Sequence, residues 1–159
     1  MKINLALREL HRSEHKLALT LSALAARHTT DHEIHHVAHD LAAWSENHLR
    51  ELAIAGRRYG IGLNASPRTE PLTSPLQAKL SELLGHRPEP ALMLLMDLRH
   101  LHRVAAGVSV DWELLAQGAK AVKDPDLLAT TERCHPQTLR QLRWANAMLK
   151  VLAPQVMST

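Results

Sequence analysis

The chain has 159 residues, of which 45% are hydrophobic, 22% charged and only 3% aromatic, with no Phe, one Tyr and three Trp. That is enough chain for one domain with a proper core, and the apolar share excludes extensive disorder. The formal charge of +3 is spread along the chain with no polybasic block beyond Arg57 and Arg58; with so few stacking rings, this argues against a nucleic-acid partner.

A core rich in Leu and Ala suits close helix packing better than a β-sandwich. The first helix is expected from about Asn4 to His28, with Ile3, Leu7, Leu10, Glu14, Leu17, Leu21 and Leu24 along one stripe. Thr30 followed by Glu33 reads as a capping box, which starts a second helix after a turn so short that the two must form an antiparallel hairpin. The second stripe is Ile34, Val37, Leu41, Trp44, His48, Leu52 and Ala55, and Gly60 and Gly62 stop the helix after about Arg58. Gly60 to Ser74 reads as loop, after which Ser74, Pro75 and Gly85 bracket a short helix over 75–84. A third helix begins near Pro88 or Pro90 and carries Leu94, Leu98, Leu101, Ala105, Val108, Trp112, Leu115, Ala119 and Val122. Asp124 caps a fourth, with Pro125 at its first position and Pro154 at its end. Its stripe reads Leu128, His135, Leu139, Leu142, Ala145, Leu149 and Leu152.

These elements predict a single domain over 1–159: a four-helix bundle of two antiparallel hairpins joined by a connection over 60–87. That connection is long enough to return along a helix of about 40 Å, which makes the third helix parallel to the second. On this topology Glu14, His48, Asp111 with Trp112, and His135 fall at one height. Glu14 and His48 alone break the first two stripes with ionisable groups, and a buried carboxylate is costly unless paired or bound to metal. Two readings follow: a hydrogen-bonded pair that fixes helix register, or the start of a metal site.

The segments "LHRSEH", "LAAWSENHLREL" and "CHPQTLRQLRW", together with Glu132-x-x-His135, resemble the ferritin-like superfamily, most closely small bacterial ferritin-like proteins without an established activity. The resemblance spans the four long helices and implies a central site for a transition metal (iron, manganese or zinc). Its ligands here would be Glu14, His48, Asp111 and His135, with Glu132 assisting. In that superfamily a Glu on each of two helices and a Glu-x-x-His on each of the others hold two ions, because residues i and i+3 share a helix face. This chain departs from the pattern in having Ser45 three residues before His48, the shorter Asp111 on the third helix, and Pro136 directly after His135. Gly107, Val108 and Val110 could also break the third helix and make Asp111 an N-cap. A complete di-iron oxidase site, with four carboxylates, is not evident, and no catalytic residue is assigned.

The remaining ionisable residues read more simply. His11 and His15, His32 and His36, and His35 and His39 are spaced i, i+4, which suits a solvated face with incidental metal affinity. Asp97 and His100 read as a surface pair. A hemerythrin-like reading lacks its His-x-x-x-Glu pairs, and Trp44 and Trp112 read as space-filling rather than as walls of a haem pocket. Cys134, the only cysteine, permits no intramolecular disulfide and reads as an inert thiol. With no signal-peptide core and no apolar run long enough to span a membrane, a cytoplasmic protein is expected. The sequence allows a homodimer and names no protein partner; the alternative to a metal-binding bundle is a non-enzymatic scaffold or partner-binding module.

Overall fold

The computed structural model describes residues 2–67, 85 and 89–159; the expected short helix over 75–84 and most of the connection lie outside them. Among the described residues four helices form a four-helix bundle: α1 (Lys2–Arg27), α2 (His32–Arg58), α3 (Pro90–Ala121) and α4 (Pro125–Met157). No helix is long and apolar enough to cross a membrane.

Cap chemistry sets most of the ends. The α1–α2 turn is four residues, and Asp31 rather than Thr30 is the N-cap of α2, its Oδ1 accepting from the Ile34 amide at 3.1 Å. A carboxylate at the positive end of the helix dipole is the better acceptor of the two. At the far end of α2, Gly60 takes φ 70°. Its N–H reaches Arg57 O at 3.1 Å and that of Ile61 reaches Gly56 O at 2.9 Å, the paired bonds of a Schellman stop.

The same stop ends α3, with Lys123 in the left-handed position at φ 55°. Asp124 N then bonds to Ala119 O at 3.0 Å. Asp124 is at once the last residue of that stop and the N-cap of α4, where its Oδ1 accepts from the Asp126 and Leu127 amides. Its carboxylate also takes a two-pronged contact from Arg58 and the hydroxyl of Tyr59, which pins the end of α2 to the start of α4. Burial alone would raise the Asp124 pKa; the bonds from Tyr59, Leu127 and Arg58 outweigh it and hold the group at about 2. The same environment pushes Tyr59 up to about 12.

The break left open near Gly107 and the stop expected at Pro154 are both absent. α3 runs unbroken through Gly107, so Asp111 is interior to the helix and not a cap. α4 runs through both Pro136 and Pro154. The carbonyls that these prolines leave without a partner belong to exposed Glu132 and Lys150, where water can satisfy them.

Contacts along the helices give the topology. Gly118 sits so close to α1 that an added Cβ would meet Ile3 Cδ1 at 2.9 Å. Trp112 bonds to Glu14, and Asp97 bonds to Arg27 and His28, so α3 runs antiparallel to α1. Arg58 to Asp124, Glu51 to Arg133 and Ser45 to Gln141 make α4 antiparallel to α2. α2 and α3 therefore run the same way, and α2 ends where α3 does not begin. Asp97 belongs to the core rather than to a surface pair with His100: it is 9% exposed, with Arg27 on both carboxylate oxygens and His28 Nε2 at 2.7 Å.

The interior is Leu and Ala, with Leu7, Leu10, Leu17, Leu21, Leu98, Leu101 and Leu115 fully enclosed. The stripes of α1 and α3 fall where the sequence put them, apart from exposed Val122. α4 is rotated from its expected face. Leu127, Thr130, Thr131, Cys134, Thr138, Gln141 and Ala145 are buried, while His135, Leu139 and Leu142 are half-buried on the flank.

Lys123→Gly is expected to stabilise the fold by up to about 1 kcal/mol, since the left-handed conformation costs a non-glycine residue about 1–2 kcal/mol and Gly adds back some unfolded-state entropy; urea denaturation measures this. Asp124→Asn is expected to destabilise at pH 7 by about 1 kcal/mol or more as a weakened cap and lost ion pair. The depressed carboxyl contributes fully above its ordinary 3.8 and loses that contribution as pH falls toward about 2. The gap between wild type and Asp124→Asn should therefore close in acid.

Candidate functional site: a buried carboxylate shared by four helices

Glu14, Ser45, His48, Trp112, Thr138 and Gln141 have no exposed surface. Glu14 Oε1, on α1, accepts from His48 Nδ1 of α2 at 2.8 Å, from Trp112 Nε1 of α3 at 2.8 Å and from Thr138 Oγ1 of α4 at 3.4 Å. His48 Nε2 lies 2.8 Å from Gln137 Oε1, so both ring nitrogens face acceptors. A neutral imidazole carries a single N–H; two acceptors are satisfied by the imidazolium. Burial pulls the His48 pKa down, but the hydrogen bond to Glu14 and its charge, the bond to Gln137 Oε1 and the charge of Glu51 outweigh it and leave the group above 6.5. Trp112 meets His48 edge-to-face at 5.7 Å between centroids. One turn along, Gln141 Nε2 donates to Ser45 Oγ and to Leu41 O, both at 2.9 Å.

Of the five residues that the sequence pointed to, Glu14 and His48 meet. The other three stand apart from them. Asp111 is half-buried and about 100° round α3 from Trp112. Glu132 is exposed. His135 turns to Ser109 Oγ, 2.9 Å from its Nε2, with Glu113 at 4.0 Å on the other side. Glu113, Glu132 and His135 line an open groove of about 280 Å³ between α3 and α4. Burial lowers the His135 pKa, opposed in part by the charge of Glu113. Among the described residues no three His, Cys, Asp or Glu side chains converge as a metal-holding group.

The difference comes from the phase of α4. Reading the Leu-rich stripe as the core placed His135 inward, whereas Leu127, Thr131, Cys134, Thr138, Gln141 and Ala145 occupy the interior. These positions recur at alternating steps of four and three, a heptad of mostly small and polar residues. That spacing was the available signal for Thr138 and Gln141. Trp112, read as a space-filler, uses its N–H as well as its bulk. Cys134 is 2% exposed, and burial, helped by the charges of Glu51 and Glu14, pushes its thiol up to about 12.

No protein-family model, curated protein or solved structure matches the chain.

His48, with its pKa raised, contributes stability that is fully present below about 6.5 and is lost as pH rises through the raised value. Chemical denaturation of wild type against His48→Gln should show a gap that is largest near pH 6 and narrows in alkali. The groups facing His48 are Glu14, Trp112 and Gln137, with the charge of Glu51 nearby; His100 and His135, whose values burial lowers, act in the opposite sense and cancel in the comparison. Glu14→Leu alone strands the imidazolium and is expected to cost about 3–5 kcal/mol.

Proposed function

We propose that the chain is a ferritin-like four-helix bundle serving as a non-enzymatic helical scaffold or partner-binding module, with Glu14 and His48 a structural core pair. Antiparallel neighbouring helices, with α2 and α3 parallel, support the ferritin-like assignment. One observation carries the functional reading: both ring nitrogens of His48 and Oε1 of Glu14 are already committed to protein partners inside a sealed cluster. Donors spent in this way hold helices together rather than bind a substrate.

A two-ion centre does not fit these residues. Ser45 stands where the superfamily pattern would place a Glu and is hydrogen-bonded to Gln141, while Asp111, Glu132 and His135 lie outside the cluster. A second reading keeps one iron, manganese or zinc ion on a subset of Glu14, His48, Asp111, Glu132 and His135. It rests on Glu14 Oε2, which is buried with no protein partner.

The scaffold reading expects Glu14→Leu, His48→Leu and Trp112→Phe together to leave the fold intact or more stable, because an apolar replacement of a buried ionic group is often neutral or better. Thermal melting and circular dichroism measure it; a triple variant that fails to fold counts against the reading. Untagged protein reconstituted with iron, manganese or zinc is expected to hold less than roughly a tenth of an equivalent that depends on Glu14. Near-stoichiometric metal lost in Glu14→Ala and kept in His36→Ala would overturn the scaffold reading in favour of the second.

A further inference from the structure

The first two turns of α2 carry His32, His35, His36 and His39, far along the bundle from Glu14 and outside its hydrogen bonds. We propose that His32 and His36 form an exposed bis-imidazole site for a late first-row divalent ion, with Cu²⁺ bound most tightly and Zn²⁺ and Ni²⁺ less so.

The i, i+4 spacing brings both rings to one face of the helix. They lie nearly parallel, 13° between planes, with centroids 6.4 Å apart, and both side chains are exposed. Bringing their nitrogens to the roughly 2.0–2.1 Å of a metal–imidazole bond takes only rotamer changes in solvent and no repacking of the core. Imidazole donors select copper, zinc or nickel over magnesium, calcium or manganese, and the order of intrinsic affinity puts copper first.

His35 adds a held neighbour. Its Nδ1 lies 2.7 Å from Ala25 O across the hairpin; a carbonyl only accepts, so in the neutral ring that nitrogen carries the proton and Nε2 has the lone pair. A ligand imidazole is typically fixed by such a backbone bond on its other nitrogen. The His35 ring meets His36 edge-on at 5.1 Å between centroids and so packs against the pair.

The local charge also suits a dication. Asp31, Glu33 and Asp40 flank the three histidines, and α2 has no Lys or Arg before Arg50. These carboxylates offset the positive end of the helix dipole, which by itself would repel a cation.

Untagged protein stripped with a chelator and titrated with Cu²⁺ alone, followed by calorimetry and electron paramagnetic resonance, tests the site. One nitrogen-ligated Cu²⁺ per chain is expected. His32→Ala and His36→Ala should each weaken it by about tenfold or more, with His35→Ala having a smaller effect. Cu²⁺ should raise the melting temperature of wild type and not of His36→Ala, because the ion ties two turns of α2 in the folded state only. His11→Ala and His135→Ala should leave the titration unchanged. Cu²⁺ affinity that survives both His32→Ala and His36→Ala, or that falls instead with His11→Ala or His135→Ala, would overturn the proposal; circular dichroism of the two exposed-site variants establishes that they are folded.

Discussion

One carboxylate oxygen receives a donor from every other helix of the bundle. Glu14 Oε1 belongs to α1, and His48, Trp112 and Thr138 bring α2, α3 and α4 to it. Leu and Ala cores are permissive about axial sliding, because one Leu fills another's hole nearly as well. A buried charge is not permissive. Sliding any of the three partner helices by one turn, about 5.4 Å, removes its donor from reach and leaves desolvated charge behind. The apolar contacts supply the drive to collapse, and Glu14 penalises any collapsed arrangement that separates it from its donors.

Two further acids repeat the device at the ends. Asp97 gathers Arg27 and His28 from the end of α1 onto the start of α3. Asp124 gathers Arg58 and Tyr59 from the end of α2 onto the start of α4. Each is an acceptor-only group facing donors from another helix, so each fixes a height as well as a contact. The bundle is tied at three levels by Asp97, Glu14 and Asp124.

How much of this the sequence disclosed depends on which side of each helix carried the information. α1 and α3 bury nearly pure apolar stripes, so their faces follow from spacing, while the helix directions follow from the short first turn and the long connection, and the pairing of Glu14 with His48 from their shared height. α4 buries Thr131, Cys134, Thr138 and Gln141 while its leucines sit on the flank, so hydrophobicity points about one residue away from the true core face. That single error of phase carried His135 and Glu132 into the expected centre and left Thr138 and Gln137 out of it. Asp31 took the cap from its neighbour Thr30, a choice between two good acceptors that one-dimensional patterning does not resolve. Asp97 looked like half of a surface pair because its partners, Arg27 and His28, are about 70 residues away in sequence.

The dual role of Asp124 means that α3 and α4 are joined by a linker of no spare length. The stop of one helix and the start of the next overlap in a single residue, whose N–H donates back to Ala119 O and whose carboxylate accepts from the Leu127 amide. One inserted residue there would turn α4 by about 100° relative to α3 and carry its polar heptad out of the interior. Tolerance to insertion, or to new chain ends made by circular permutation, must lie elsewhere in the chain.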